Sequence, residues 1–418
     1  MAPTSQVDDT LLRCIGCGAV TSVAESGLNC EKCGDLLEVV FPHPGIGSDK
    51  LNAATLKAVW RERQTSHLPQ DQSGVWRFRE ALPSLGKDAP ITIREGNTPL
   101  YELSLCSRLT GVKQLYAKHQ GMNPTGSFKD TGMTVASSFA RKDGFNWVAC
   151  ASTGNTSASM AAYAARGGMH SLVLIPDGKI SWGKLSQALD YGAVTCQVKT
   201  DFDGCMRVLN GIVQRKRIYV LNSINPFRLE GQKTGAFEVC DQLGRAPDYH
   251  LIPVGNAGNI TAYWRGYREY HRAGRVKELP RMVGFQAAGA APIYENRIIE
   301  EPRTIATAIR IGNPASWGPA LEAMKDSRGW IDIVTDEEIV RAYRLLAREE
   351  GIFMEPASAA TVAGLIKLVK AGRFEPGSTL VLTLTGHGLK DPDTALESAS
   401  RPTVVPPRVD AVLAQLGL

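Results

Sequence analysis

The 418-residue sequence has no apolar run long enough to cross a membrane and no long run of lysine or arginine. Its apolar runs, such as residues 172–176 and 380–382, have the length of strands, whereas a spanning helix needs about 20 apolar residues. The net charge of +5 is spread along the chain, whereas nucleic-acid surfaces carry clustered basic residues. We therefore expect neither a membrane nor a nucleic acid among the partners.

The first residues, MAPTSQVDD, lack the basic start and apolar stretch of a secretory signal, and their acidic residues disfavour a transit peptide. We therefore expect a cytoplasmic protein. The sequence also lacks a Walker motif, a dinucleotide fingerprint, internal repeats and low-complexity tracts. With 43% hydrophobic and 21% charged residues, a chain of this length can form two folded cores and a small appendage.

Four of the nine cysteines form two knuckles near the N-terminus, Cys14 with Cys17 and Cys30 with Cys33, and a glycine follows each knuckle. This spacing is typical of a tetrahedral zinc site, although free thiols or a site that has lost its metal are alternatives. Four cysteines leave no open position for water, so we expect a structural zinc remote from any chemistry. Residues 1–45 are thus predicted to form a zinc-ribbon-like segment.

From about residue 145 the sequence alternates predicted strands and helices joined by short connections. A capping box from Thr335 to Glu338 predicts the start of a helix that runs to Gly351. The alternation predicts an α/β fold with a doubly wound, largely parallel sheet and ligands at the carboxyl ends of its strands. The predicted strands are residues 147–152, 172–175, 194–198, 219–221, 250–254, 282–286 and 380–384.

The segment NPTGSFKD, residues 123–130, places a lysine directly after a loop imposed by proline and glycine. Ser127 and Asp130 have the spacing of a helix N-cap and its partner, so Lys129 is predicted in the first turn of a helix. The positive end of the helix dipole would lower the pKa of this amine, as covalent amine catalysis requires. A lysine that extends into solvent is the alternative for this segment alone.

The segment PVGNAGN, residues 253–259, follows an apolar strand and opens a helix. Its small residues allow several backbone N–H groups to converge on one anion, and the helix N-terminus adds a favourable potential. The segment therefore predicts a phosphate-binding turn. An ordinary left-handed turn is the alternative.

Two further segments place polar groups at the ends of strands. The segment STGNTS, residues 152–157, offers hydroxyl, amide and N–H groups suited to a carboxylate and a phenolate oxygen, with a helix cap as the alternative. The segment LTGHG, residues 384–388, places Thr385 at the end of a buried strand. We interpret His387, between two glycines, as structural.

Together these segments resemble the pyridoxal-phosphate enzymes of the tryptophan synthase β-subunit type, and among them the threonine synthases. The resemblance covers about residues 10–395, and some threonine synthases also have a cysteine-rich N-terminus. Supporting segments are EGNTP (95–99), EPAS (355–358) and LTGHGLKD (384–391), while ATAIRIGNPASW (306–317) is typical of threonine synthases within the group.

This resemblance implies two doubly wound α/β domains with pyridoxal phosphate between them, in a homodimer. The smaller, mobile domain would span residues 122–222, and the larger would combine residues 46–121 with 223–400. Residues 401–418 would form a tail, in which a proline-rich linker precedes a short helix at 409–416. The family reaction converts O-phospho-L-homoserine and water into L-threonine and phosphate.

The resemblance also implies a role for individual residues. Lys129 would hold the cofactor as a Schiff base and move protons at the α and β carbons. Asn155 would contact the ring hydroxyl and Thr385 the pyridine nitrogen. Backbone N–H groups would hold the cofactor phosphate, and other groups the substrate. The cofactor phosphate would be bound by Gly255, Asn256, Ala257, Gly258 and Asn259. The substrate carboxylate would be bound by Ser152, Thr153 and Thr156. The substrate phosphate would be bound by Ser223, Arg228 and, more weakly, Lys184.

One position departs from the family, because Thr131 stands where an arginine is usual. We interpret this as the loss of a surface or hinge ion pair that alters local packing. A threonine or serine dehydratase, or a synthase that uses O-phosphoserine, would share Lys129 and its surroundings and is the alternative enzyme. A zinc-ribbon scaffold with a degenerate α/β body is the alternative from another class, and intact Lys129, Asn155 and Thr385 disfavour it.

Overall fold

The structure is a computed structural model that describes residues 10–23, 29–41, 53–86, 88–178, 182–398 and 402–418. Within them the chain forms three sheets. The strands are β1 (Leu11–Cys14), β2 (Val20–Ser22), β3 (Leu37–Val40), β4 (Leu100–Glu102), β5 (Gln114–His119), β6 (Trp147–Ala151), β7 (His170–Pro176), β8 (Val194–Val198), β9 (Tyr219–Val220), β10 (Tyr249–Pro253), β11 (Arg281–Ala287), β12 (Trp330–Val334) and β13 (Thr379–Leu384).

Helices alternate with the strands of the two larger sheets, and short 3-10 turns also occur. The α-helices are α1 (Ala53–Glu62), α2 (Pro69–Gln72), α3 (Ser104–Thr110), α4 (Lys129–Lys142), α5 (Asn155–Gly167), α6 (Trp182–Asp190), α7 (Phe202–Val213), α8 (Pro226–Gln232), α9 (Thr234–Leu243), α10 (Gly258–Arg272), α11 (Pro292–Glu295), α12 (Trp317–Ser327), α13 (Asp336–Glu350), α14 (Pro356–Lys370), α15 (Pro392–Ser398) and α16 (Val409–Leu416). None of these helices combines the length and apolar character needed to cross a membrane.

The N-terminal segment forms a small antiparallel sheet in the order β2-β1-β3. Alternate residues of β1 and β3, including Leu12, Leu37 and Val39, are buried. They join the same apolar core as residues of α4 and α5, so the segment packs on the body of the protein.

The two larger sheets are parallel except at one edge. The smaller has the order β8-β7-β6-β9, and the larger has the order β12-β11-β10-β13-β5-β4, in which only β4 runs antiparallel. The predicted fold class is confirmed. The candidate residues lie in the loops after β5, β6, β9, β10 and β13. Because the carboxyl ends of parallel strands lie at one edge of a sheet, the candidate loops of each sheet share an edge.

Helices α4 and α8 approach each other backbone to backbone. A Cβ atom on Gly132 would lie 2.7 Å from the carbonyl oxygen of Arg228, and one on Gly231 would overlap the carbonyl of Thr131. Only glycine permits this approach. The contact brings the start of α4, with Lys129, close to Arg228 on α8.

Two local predictions need correction. The Ser127 hydroxyl accepts a 3.4 Å hydrogen bond from the N–H of Lys129, but α4 begins at Lys129 and Phe128 occupies the cap position, so the predicted cap is one residue out of place. Thr131 is buried and donates to the carbonyl of Phe128 at 2.8 Å, so its position is not on the surface. In contrast, the capping box at Thr335 and Glu338 is present, and α13 ends at Gly351 in the left-handed conformation as predicted.

Candidate active site

The loop that precedes Lys129 is held by a buried carboxylate. Asp130 accepts hydrogen bonds from the N–H of Thr125 at 2.7 Å, its hydroxyl at 2.6 Å, and the hydroxyl of Ser159 at 2.6 Å. Burial raises the pKa of Asp130 to about 6, although these three bonds oppose the rise. Asp130 therefore joins the lysine loop to α5 instead of acting as the partner of a helix cap.

Lys129 lies half-buried at the start of α4, with Nζ 4.2 Å from the centre of the Phe128 ring. Its pKa falls to about 7, mainly because burial disfavours the charged amine. The positive charge of Arg228 lowers it further, and Glu355 opposes the change. The predicted direction of the shift is confirmed, and burial, which the sequence analysis did not invoke, is its largest cause.

Asn155 and Thr385 meet at a carboxylate that the sequence analysis did not identify as functional. Glu355 accepts from Nδ2 of Asn155 at 2.9 Å and from the hydroxyl of Thr385 at 3.3 Å. The Ser358 hydroxyl lies 3.1 Å from that of Thr385. Burial raises the pKa of Glu355. The sequence offered one signal for Glu355, because this acid directly precedes the apolar helix that begins PASAATVAGL. An acid beside an apolar helix is expected to be buried, and a buried acid needs hydrogen-bond partners.

The predicted phosphate-binding turn, residues 255–259, joins the end of β10 to the start of α10. Ala257 adopts the left-handed conformation with φ of 61°, and the first turn of α10 leaves backbone N–H groups without partners inside the helix. The Asn259 side chain is only 8% exposed, and neither of its polar atoms has a partner within the described residues. Such a turn, lined by unpaired donors, is suited to an anion.

The candidate residues for the substrate phosphate lie next to this turn. Nδ2 of Asn256 donates to the Ser223 hydroxyl at 3.4 Å. Arg228 is 1% exposed and donates to the carbonyl of Leu221 at 3.2 Å, while its Nε has no partner within the described residues. Burial lowers the pKa of Arg228 to about 10. A buried guanidinium with an unpaired donor is suited to bind a phosphate or carboxylate.

The candidate residues for the substrate carboxylate follow β6. The Ser152 hydroxyl accepts from the N–H of Gly154 at 3.2 Å, Thr153 is exposed, and Thr156 is buried in the first turn of α5. Asn222, which the sequence analysis did not select, exchanges two 3.0 Å hydrogen bonds with the backbone of Ala151 and so joins the loops after β6 and β9. The side chain of Lys184 lies outside the described residues.

The four N-terminal cysteines form a compact cluster. The sulfur atoms of Cys14 and Cys33 are 3.3 Å apart, those of Cys17 and Cys30 are 3.6 Å apart, and all four lie within 4.8 Å of one another. All nine cysteines of the chain are described, and none forms a disulfide. The cluster is compatible with a zinc-ribbon-like segment.

Residues 91–386 match the family described as "Pyridoxal-phosphate dependent enzyme". The chain belongs to this family. A threonine synthase from Methanocaldococcus jannaschii is 49% identical over 401 residues, covering 94% of this chain and 96% of the relative. A threonine synthase from Halalkalibacterium halodurans is 54% identical over 330 residues, covering 79% and 93% respectively. The predicted resemblance to threonine synthases is confirmed.

A solved structure shows the same fold at low identity. Maize serine racemase matches with a TM-score of 0.63 and 19% identity, covering 72% of this chain and 91% of the racemase. Because the sequences differ so much, the match concerns the fold alone, and activity has to be argued from the site.

The residues present fit pyridoxal phosphate. Lys129 has the lowered pKa of an amine that bonds an aldehyde, and the turn at 255–259 has unpaired donors for a phosphate. Asn155 and Thr385 offer an amide and a hydroxyl beside the lysine loop, since the carbonyl of Thr385 accepts from the N–H of Phe128 at 2.9 Å. These groups match the aldehyde, phosphate and ring positions of one cofactor.

Proposed function

We propose that this chain is a threonine synthase that converts O-phospho-L-homoserine and water into L-threonine and phosphate. The observation that carries the proposal is the proximity of Lys129, at the start of α4, to Arg228 on α8, together with the approach of α8 to the turn at 255–259, where a Cβ atom on Gly258 would lie 3.5 Å from the Leu229 side chain. The substrate and the cofactor each carry one phosphate, so an active site that binds both molecules needs two phosphate-binding positions.

Lys129 Nζ would hold the cofactor covalently, and the same amine would take and return protons at the α and β carbons of the substrate. Its pKa of about 7 suits both directions of transfer near neutral pH. When bound, pyridoxal phosphate supplies the electron sink for this chemistry. Asn155 would hold the ring hydroxyl and Thr385 would contact the ring nitrogen, while Glu355 orients both side chains through its two hydrogen bonds.

The substrate is oriented by groups that follow two neighbouring strands of the smaller sheet. Ser152, Thr153 and Thr156 bind its carboxylate after β6, and Ser223 and Arg228 bind its phosphate after β9, with Lys184 as a further cation. Because Asn222 joins these loops, the two ends of the substrate are bound by one connected unit. Arg228 neutralises the leaving phosphate, and its burial strengthens this interaction.

Product analysis tests the proposed function. Purified holoenzyme supplied with O-phospho-L-homoserine should release L-threonine and inorganic phosphate in equal amounts, as measured by amino-acid chromatography and phosphate assay. The matched control supplies L-threonine or L-serine and measures the oxo acid that a dehydratase would form. Oxo acid without L-threonine from phosphohomoserine would assign the chain to the alternative enzymes.

Cys14, Cys17, Cys30 and Cys33 bind one structural zinc ion, and their four sulfur atoms within 4.8 Å of one another support this assignment. The chain acts as a cytoplasmic homodimer. Family resemblance supports the dimer, and nine cysteines without a disulfide support a reducing compartment. Sedimentation of the holoenzyme measures the oligomeric state, and cell fractionation measures the cellular location.

Replacing Cys14 and Cys17 by serine should lower the free energy of unfolding by about 4 kcal/mol, since metal binding is coupled to folding of the segment. Metal analysis should fall from about one zinc per chain to none, while cofactor absorbance stays unchanged. Cys196→Ser is the matched control, because Cys196 is exposed and far from the cluster in sequence. A double variant as stable as the parent would contradict the zinc assignment.

A further inference from the structure

A buried ion network lies between α8, α9 and α10. Lys233 Nζ lies 2.6 Å from a carboxylate oxygen of Glu230 and 2.9 Å from one of Glu269, and the Lys233 and Glu230 side chains are fully buried. Arg265 contacts the same two acids, with Nη1 3.0 Å from Glu230 and Nε 3.4 Å from Glu269. Two cations and two carboxylates therefore balance inside the protein, where an unpaired charge would be costly.

The N-terminal segment supplies further partners of this network. Arg265 Nη2 donates to the backbone carbonyl of Val39 on β3 at 2.9 Å, and Nη1 lies 4.0 Å from Glu38. Lys233 Nζ lies 5.3 Å from the centre of the Phe41 ring. The guanidinium of Arg265 therefore joins the strand that follows the cysteine cluster to α8, through Glu230.

Helix α8 also carries Arg228, the candidate for the substrate phosphate. Glu230 is two residues away on the same helix, and Phe227, the preceding residue, belongs to the apolar core that includes Leu37 and Val39. Phe227 also stacks on Phe139 of α4 at 4.3 Å between ring centres. Contacts with the N-terminal segment and its network therefore hold α8 on both sides of Arg228.

We propose that Arg265 is a positioning residue through which the N-terminal segment holds α8, and with it Arg228, in the orientation that binds the substrate phosphate. The proposal rests on the proposed role of Arg228. The planar guanidinium suits this position because its three nitrogens reach two carboxylates and a carbonyl at fixed angles. Because α8 is only seven residues long, Arg228 lies close to both ends of the helix. Any displacement of α8 therefore also displaces Arg228.

Two variants and one control test the proposal in the holoenzyme. Arg265→Met removes the cation, and Arg265→Lys keeps the charge without the fork, which covers the case in which the methionine variant fails to fold. Arg268→Met is the control, because Arg268 lies on the same helix but pairs with Glu322 and Asp326 at the exposed surface.

Hydrogen–deuterium exchange gives the direct readout. In both Arg265 variants the amides of residues 226–232 should exchange faster, whereas Arg268→Met should leave them unchanged. The value of kcat/KM for phosphohomoserine should fall roughly 2- to 30-fold, mainly through KM, with the lysine variant intermediate and cofactor absorbance unchanged. Unchanged exchange in α8 would overturn the proposal.

A double-mutant cycle separates positioning from general destabilisation. If Arg265 acts through Arg228, Arg265→Lys should reduce kcat/KM much less when Arg228→Met is already present. Effects that simply multiply would show that Arg265 does not act through Arg228. If Arg228→Met alone leaves kcat/KM unchanged, the assigned phosphate role and this proposal both fail, while formation of L-threonine still supports the proposed reaction.

Discussion

Replacement of Lys129 by alanine is expected to abolish covalent binding of the cofactor and to reduce turnover by at least about 10²- to 10⁴-fold, the usual contribution of a positioned acid–base group. Borohydride reduction of the parent enzyme, followed by peptide mapping, should place the pyridoxyl group on Lys129. A label on Lys118 or Lys184 would contradict the assignment. The fold should remain intact, since Lys129 is half-buried and makes no ion pair within the described residues.

Lys142→Ala is the matched control, because Lys142 ends the same helix that Lys129 begins. It should retain turnover. The pH dependence of cofactor uptake gives an independent check, since only the neutral amine bonds an aldehyde. The pKa of Lys129 is lowered to about 7, so the rate of reconstitution of the apoprotein should rise with pH and level off above about 7. A rate that keeps rising towards pH 10 would show an ordinary lysine.

Replacement of Arg228 by methionine is expected to reduce kcat/KM for phosphohomoserine roughly 30- to 1,000-fold, because a charge-assisted contact in a buried site is worth about 2–4 kcal/mol. Methionine retains an apolar stem in this buried position. Arg228→Lys should recover part of the activity, since it restores the charge without the planar fork. Steady-state kinetics with the cofactor bound measures both.

The matched control is a ligand without the phosphate. The affinity for L-homoserine, followed through cofactor absorbance, should be nearly unchanged in Arg228→Met if Arg228 contacts only the substrate phosphate. The alternative is that Arg228 binds the cofactor phosphate. The hydrogen bond between Ser223 and Asn256 supports testing it, because it brings the loop after β9 close to the turn for that phosphate. Release of the cofactor with turnover otherwise intact would assign Arg228 to that second site.

The sequence alone was sufficient for features that depend on local pattern. Strands β6 to β11 and β13 lie within two residues of their predicted positions, because apolar runs and glycines mark them directly. Three strands of the larger sheet, β4, β5 and β12, were not predicted, and β4 has only three residues. Strand β5 contains Lys118, which is buried through an ion pair with Glu238 at 2.5 Å, and β12 is a half-buried edge strand, so neither has a simple apolar pattern.

The sequence by itself determined the α/β fold class and the strands whose carboxyl ends bear the candidate loops, because alternating apolar runs and glycine turns are local patterns. Only the tertiary structure decided which side chains in those loops meet. Glu355 and Asn155 are 200 residues apart in the chain, and Val39 and Arg265 are 226 apart. Local patterns contain no information about such pairs, since they arise from the packing of whole elements. The pKa of Lys129 was decided in the same way, by burial and the proximity of Arg228.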